Sequence, residues 1–386
     1  MVDIHDRIFL DYASSTPIRD DVREAMLPFI DQKFGNPSSI HFFGRELRQT
    51  INECRDVIKT ALNCSYREII FLSGATEGDN WAIKNLARSH ETKGRHFIIS
   101  AFEHHAVMES AEYLEKKGYE CTRVKPAPDG VIRVDDIAAA IRPDTSFISL
   151  MAVNNEIGTV QPVREVAILA KERGIMMHTD CAQAISTQPI DLEKLPVDIL
   201  TATAHKIYGP IGSGFNFIRK GTAIEPLIHG GSHEFGMRAG TENVAGIVGL
   251  ATAVRLAVEE RDAKVRYYTE LGRYMLDLLK KEMPNVSLVG SPEKRAPHIY
   301  NLRVPGASSE NLIIGFDEAG IAISMGSACA SGSSEPSHVM KALGFDFRKA
   351  MECIRISFGL YTKHEHIDKF VKTLKVIIAS NHGDTK

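Results

Sequence analysis

Short apolar runs alternate with amphipathic stretches along most of this chain. HFIIS, SFISLMAV, GIMMHTD, DILTATA and GFNFIR each read as a short apolar strand, and stretches of helical character such as VREVAILAKERG separate most of them. Near the N-terminus, IRDDVREAMLPFIDQKFG places Val22, Met26, Phe29 and Ile30 at helical spacing and stops at Gly35. The alternation from about residue 18 to residue 250 predicts an α/β fold with a mostly parallel, doubly wound sheet flanked by helices. Residues 241–283 then read as a very long helical stretch, broken only by Gly residues and ending at Pro284, and a helix of that length more often joins two domains than sits inside one. Ile367, Phe370, Val371, Leu374, Ile377 and Ile378 share one face of a closing helix. The organisation expected is a large domain over residues 18–262 and a smaller α+β domain built from both chain ends, residues 1–17 and 263–386.

Composition removes several classes. The 46 basic and 49 acidic side chains among 386 residues leave a net charge of −3, so no global field draws the protein to nucleic acid or to an anionic membrane. No apolar run approaches the roughly 20 residues that span a bilayer. The first residues, MVDIHDRIFLDYA, are charged and lack an apolar signal core. The expectation is a cytoplasmic protein with no membrane contact and no direct nucleic-acid binding. Cys54, Cys64, Cys121, Cys181, Cys329 and Cys353 are scattered without a C-x-x-C pair, which is neither a disulfide framework nor a zinc site. Most read as small buried hydrophobes. His229 and His233 stand four apart, but Gly230 and Gly231 break the helix that a metal pair would need, so no metal is expected. Trp81 reads as core.

In an open parallel sheet, ligands bind outside the carboxyl ends of the strands. HFIIS leads to His104, SFISLMAV to Asn155, GIMMHT into Asp180 with Gln183 one turn on, and DILTATA into His205 and Lys206. A lysine that forms a Schiff base with an aldehyde, and a carboxylate that keeps a pyridine nitrogen protonated, are what pyridoxal phosphate requires of a protein. Lys206 and Asp180 lie 26 positions apart (206 minus 180), which fits neighbouring strands joined by one crossover. His104 is suited to stack on the ring and move protons, and Asn155 and Gln183 to hydrogen-bond the ring substituents. For the phosphate, LSGATEGDN opens a helix at a glycine turn, so backbone N–H groups near Ala75 and Thr76 face an anion site. Thr203 and His205 add side-chain donors, and HGGSHEFGMRAGTEN offers Arg238 and Thr241 to substrate or phosphate.

Cys329 differs from the other cysteines. It sits in ISMGSACASGSSEPS, a Gly/Ser-rich loop sequence with little to hold a thiol in a core, so the reactive reading is better than the buried one.

Taken in order, LDYASSTP, GNPSSIHFFG, SGATEGDN, FEHHAV, NNEIGTVQP, HTDCAQA, AHKIYGP, HGGSHEFGMRAGT, GSACASG and IRISFG resemble the cysteine desulfurases of the NifS/IscS type, in the class V aminotransferase group of fold-type I pyridoxal-phosphate enzymes. The motifs run from residue 10 to about residue 360 with that family's spacing. The lysine motif points to the wider group, and GSACASG adds the desulfurase branch. The resemblance implies a seven-stranded large-domain sheet and a homodimer. It also implies conversion of L-cysteine to L-alanine, with the sulfur passed as a persulfide on Cys329 to an acceptor protein. That acceptor would serve iron–sulfur cluster assembly or the sulfuration of a cofactor or nucleic acid.

By the same resemblance, Lys206 is the Schiff-base lysine, Asp180 contacts the pyridine nitrogen, Gln183 the ring hydroxyl, and His104 stacks on the ring. Thr76, Thr203 and His205 bind the phosphate, with Thr241 reaching across from a second subunit. Asn155 and Arg355 hold the substrate carboxylate. The stretch around Cys329 looks like the long-loop branch of the family rather than the short-loop SufS type. Two positions depart from the pattern: Cys181 stands where alanine is usual, and Thr203 where serine is commoner. The chain also stops soon after its last helix, without the extension that helps IscS-like enzymes dock an iron–sulfur scaffold, which leaves the acceptor open.

The rival readings are a selenocysteine lyase or a related class V aminotransferase, and, in another class, a non-catalytic sulfur-trafficking assembly subunit. Intact Lys206, Asp180 and Cys329 weigh against the last.

Overall fold

The computed structural model describes residues 7–325 and 336–383. The chain opens on β1 (Ile8–Phe9) and two helices, α1 (Asp20–Asp31) and α2 (Phe42–Leu62). Strand and helix then alternate: β2 (Ile69–Leu72), α3 (Ala75–Ser89), β3 (His96–Ser100), α4 (His105–Glu115), β4 (Glu120–Val124), α5 (Val134–Ala140), β5 (Thr145–Ser149), α6 (Val163–Glu172) and β6 (Met176–Asp180). With β7 (Ile199–Thr203) and β8 (Gly214–Ile218) these strands form a seven-stranded sheet in the order β2-β8-β7-β6-β5-β3-β4. Only β8 runs against the others, antiparallel to both β2 and β7.

The five apolar runs become β3, β5, β6, β7 and β8, and nearly every residue in them is buried because helices cover both faces. β5 stops at Ser149, earlier than its run implies, although Leu150 and Ala152 still donate to the His178 and Asp180 carbonyls of β6. The two remaining strands lie at the sheet edges, and β4, ECTRV, is partly exposed and has no apolar run to betray it. In α1 the expected stripe holds for Val22, Met26 and Phe29, but Ile30 is 62% exposed. Eight residues on from Val22, Ile30 sits about 80° round the helix and leaves the core.

The long helix expected over residues 241–283 is two helices, α7 (Val244–Glu259) and α8 (Arg261–Glu282), which meet at Glu260. Their surroundings differ. α7 is apolar on nearly every side and lies within the main core, whereas α8 turns one stripe, Tyr268, Leu271, Met275 and Leu279, to a second core. The Glu260 carboxylate receives Arg19 at 2.5 Å and Lys264 at 3.2 Å, fixing the redirection.

After α8 come β9 (Ser287–Val289), β10 (Ile299–Arg303), α9 (Ser309–Glu318), β11 (Ile321–Ala322), α10 (His338–Ala342), α11 (Phe347–Ala350), β12 (Cys353–Ser357) and α12 (His364–Gly383). β12, β10 and β9 form an antiparallel sheet, and β1 pairs in parallel with β11. The second core therefore joins Ile8 and Leu10 to Phe316, Ile356, Phe370 and Leu374. Each such side chain contributes about 1.5–3 kcal/mol by leaving water. Val339, Met340, Ala350 and Cys353 pack instead with the main core. Among the described residues, no helix is long and apolar enough to cross a membrane.

Candidate active site

The carboxyl ends of the parallel strands border a cavity of about 530 Å³. β3 delivers His104, the N-cap of α4, whose Nδ1 accepts from Ala106 N at 3.2 Å and so fixes the ring. β6 ends on Asp180, whose Oδ1 accepts from Ala182 N at 2.8 Å. β7 ends on Thr203 and continues through a single 3₁₀ turn, Ala204–Lys206, into Tyr208 at φ +67°. That left-handed residue is held by Thr16: its N–H donates to Thr16 Oγ1 at 2.8 Å, and the same hydroxyl donates to the His205 carbonyl at 3.0 Å. α3 begins after Gly74 at φ +154°, with no side chain capping its first turn. Ala75 and Thr76 line the cavity there, leaving their N–H groups to a ligand.

The floor is made by a segment of which sequence reasoning used only the family likeness. Lys206 Nζ donates to the Ala13 and Ser14 carbonyls at 2.7 and 2.6 Å. Gln183 Nε2 also donates to Ala13 O, at 2.8 Å. Asp11 pairs with the Arg355 guanidinium at 2.7 Å, and Arg355 donates to the Asn155 carbonyl at 2.9 Å. Ala13 N donates to Ser357 Oγ at 2.8 Å, closing the floor against β12. The available signal was the turn composition of DYASSTP beside a short strand, but carbonyl acceptors leave no mark on a sequence.

Burial sets the protonation states. It raises the pKa of the Asp180 carboxyl, and the nearby His104 and Lys206 oppose that rise. His104 is lowered by burial, with Lys206, His105 and His338 pushing the same way and Asp180 against. His205 is pushed down to about 4 by burial and by Lys206 and His104. Both imidazoles are thus neutral at neutral pH and serve as hydrogen-bonding groups. Burial alone would raise Glu77, on the first turn of α3, but Arg238 at 2.9 Å and the Ser73 donors outweigh it and leave it lowered. Behind Asp180, Asp79 is wholly buried 3.5 Å from His178, and burial followed by the Asp180 charge raises it well above the carboxylate range. Of these two carboxyls, Asp180 is the one that borders the cavity.

Ala75, Thr76, His104, Asn155, Asp180, Gln183, Thr203, His205, Lys206 and Arg355 all line the one cavity. Thr241 does not. It borders an adjoining hollow of about 220 Å³ with Arg238, and the two spaces share Ser73 and Gly212. Cys329 lies outside the described residues. Cys181 is 1% exposed and absent from the cavity wall, and burial pushes its thiol pKa far up, so this departure from the family pattern puts no reactive group in the site. The hydroxyl of Thr203 lies 3.3 Å from the Ser213 carbonyl. Among the described residues, no group of three or more His, Cys, Asp or Glu side chains is arranged to hold a metal ion.

A family model described as Aminotransferase class-V matches residues 8–370. The cysteine desulfurase IscS of Dictyoglomus turgidum is 46% identical over 371 residues, covering 96% of this chain and 94% of that protein. A solved structure described as a NifS-like protein superposes with a TM-score of 0.91 at 35% identity, covering 97% of this chain and 99% of the other. A second, SspA in complex with cysteine, gives a TM-score of 0.80 at 33% identity over 92% of this chain and all of the other (100%).

Proposed function

Because this chain belongs to the class V aminotransferase family and is a cysteine desulfurase within it, we propose that its cavity releases sulfur from L-cysteine with Lys206, His104 and Cys329 as the catalytic residues. One observation carries the reading: an amine, a buried carboxylate, neutral imidazoles and an uncapped helix start converge on one cavity, with a guanidinium from the far end of the chain at its edge.

The residues fit pyridoxal phosphate. Asp180 is a buried carboxyl suited to a cationic ring nitrogen, Lys206 is an amine held by carbonyls, and the start of α3 faces an anion site. When bound, that cofactor supplies an aldehyde that captures amines and a ring that draws electrons from the amino-acid Cα. Lys206 would hold it and move the proton at Cα of cysteine. Asp180 would pair with the ring nitrogen, Gln183 with the ring hydroxyl, and His104 would lie against the ring face. Ala75, Thr76, Thr203 and His205 would take the phosphate, with Thr241 completing that end from a second subunit. Asn155 and Arg355 would hold the substrate carboxylate.

Cys329 then acts as a thiolate. It attacks the substrate sulfur, the carbon–sulfur bond breaks with its electron pair left on the carbon side, and protons taken up there release L-alanine. The persulfide on Cys329 passes to an acceptor protein for iron–sulfur cluster assembly or another sulfuration. A homodimer is supported by the exposed Phe34, Ile40 and Phe42 and by Ile211 at the cavity edge, an apolar set that a second copy would cover. A cytoplasmic site of action is supported by the free thiols of Cys54, Cys64, Cys121, Cys181 and Cys353.

The test is stoichiometry. Purified protein given L-cysteine and a reductant should form alanine and sulfide in equal amounts, consume no keto acid, and slow by about 10²-fold or more when Lys206 is replaced by alanine. A keto-acid requirement, or parent-level turnover without Lys206, would end the reading.

A further inference from the structure

Arg355 meets the cavity already engaged. Its side chain is 2% exposed, Nη2 lies 2.7 Å from Asp11 Oδ1, Nη1 donates to the Asn155 carbonyl at 2.9 Å, and Nε has no partner. Asp11 is fixed by its own backbone: its carbonyl accepts from Ser14 N at 3.0 Å and from Ser14 Oγ at 2.7 Å. Arg355 is fixed by the pairing of β12 with β10, where it stands opposite Asn301. The backbone that carries each partner of the ion pair is thus anchored.

The consequence is electrostatic. A guanidinium presents five N–H donors in one plane, and the chain itself uses two of its nitrogens. An unpaired guanidinium in a buried wall attracts any carboxylate by net charge. One already matched with a carboxylate brings little net charge, so an incoming carboxylate is retained by hydrogen-bond geometry alone. An anionic acid then pays for its burial without compensation, whereas an amino acid, neutral overall, does not.

We propose that Asp11 is a specificity-determining residue: its ion pair with Arg355 orients the guanidinium and cancels its charge, so that the site prefers a zwitterionic amino acid to a bare carboxylic acid. This rests on the reading of Arg355 as the receiver of the substrate carboxylate.

L-alanine and propionate differ only by the ammonium group. Because capture of that amine by the cofactor contributes equally in every variant, the change in their affinity ratio for the cofactor-loaded enzyme, measured by calorimetry, reads the charge effect. The variants are Asp11→Asn, which keeps the shape and removes the charge, Asp11→Glu, which keeps the charge and displaces it, and Arg355→Gln. Melting temperatures identify any variant that has lost its fold. In Asp11→Asn, propionate should bind about tenfold tighter, the scale of one charge-assisted contact, and the preference for alanine should fall by that factor. In Asp11→Glu both ligands should weaken while the preference stays. A folded Asp11→Asn protein with unchanged preference overturns the proposal, as does an Asp11→Glu protein that loses the preference equally. The underlying reading fails separately, if Arg355→Gln binds both ligands as the parent does.

Discussion

Gln183 and Lys206 donate to one oxygen: the Ala13 carbonyl lies 2.8 Å from Gln183 Nε2 and 2.7 Å from Lys206 Nζ. The amine proposed to carry the cofactor is therefore parked against the N-terminal segment, and it must leave that carbonyl before its lone pair can attack an aldehyde. In Lys206→Ala the turnover rate should fall by about 10² to 10⁴-fold, the range for losing a proton-moving group. The near-ultraviolet and visible absorbance of bound cofactor should also wash out on gel filtration. Retained colour with retained turnover would remove Lys206 from its role.

Two cysteines should behave oppositely. Cys329→Ala should keep the cofactor absorbance and lose sulfide release. Cys181→Ala should change neither, because that thiol is buried beneath the wall and its pKa lies far up. Sulfide assays on the two variants, side by side, decide it.

Arg55 and Glu234 form a buried pair, with side chains 3% and 2% exposed and nitrogen–oxygen distances of 2.7 and 2.9 Å. Glu234 and Phe235 sit at φ +47° and +59°, so the pair pins a left-handed turn in the segment that carries Arg238 and Thr241. Arg55→Met strands the carboxylate and should cost about 3–5 kcal/mol. Urea denaturation should register this directly, and a loss below about 1 kcal/mol would show that the turn holds itself.

Two buried groups should tilt the pH dependence of stability in opposite senses. Burial depresses His298 from 6.5 to about 4, so between those values the unfolded chain binds a proton the folded one refuses. Stability therefore drops as pH falls through that window, by roughly 3 kcal/mol in full. Burial lifts Glu103 from 4.5 to about 8, so there the folded protein keeps a proton the unfolded chain releases, and stability declines as pH rises across that range. The two windows overlap and oppose between 4.5 and 6.5, so denaturation midpoints should fall steadily as pH rises above 4.5 in His298→Gln, and should climb up to 6.5 and then level off in Glu103→Gln.

Gly158 stands at φ +73°, and a Cβ there would come within 2.4 Å of the Ile299 carbonyl. Gly158→Ala should cost about 1–3 kcal/mol for the left-handed backbone alone. It should also raise KM for cysteine, because the same turn presents Asn155. A melting curve and a KM that both match the parent would contradict this.

Much of the fold was legible because burial on both faces writes itself into a sequence. β3, β5, β6, β7 and β8 are apolar runs, and the polar residue after four of them lines the cavity. What escaped was whatever depends on neighbours rather than on pattern. β4 shows no run because it is an edge strand. The junction of α7 and α8 at Glu260 is invisible to periodicity, since helical spacing continues through it and only the change of core reveals it. The pairing of Asp11 with Arg355 joins positions 344 apart, and the carbonyls of Ala13 and Ser14 would be the same with many other side chains.

Ala13 and Leu10 are fastened to Ser357, so segments made far apart in time on a growing polypeptide are sewn together at one spot. Until the ribosome has delivered that serine, the lysine exists without its completed compartment. Synthesis order thus closes the floor beneath the lysine only once Ser357 has been added.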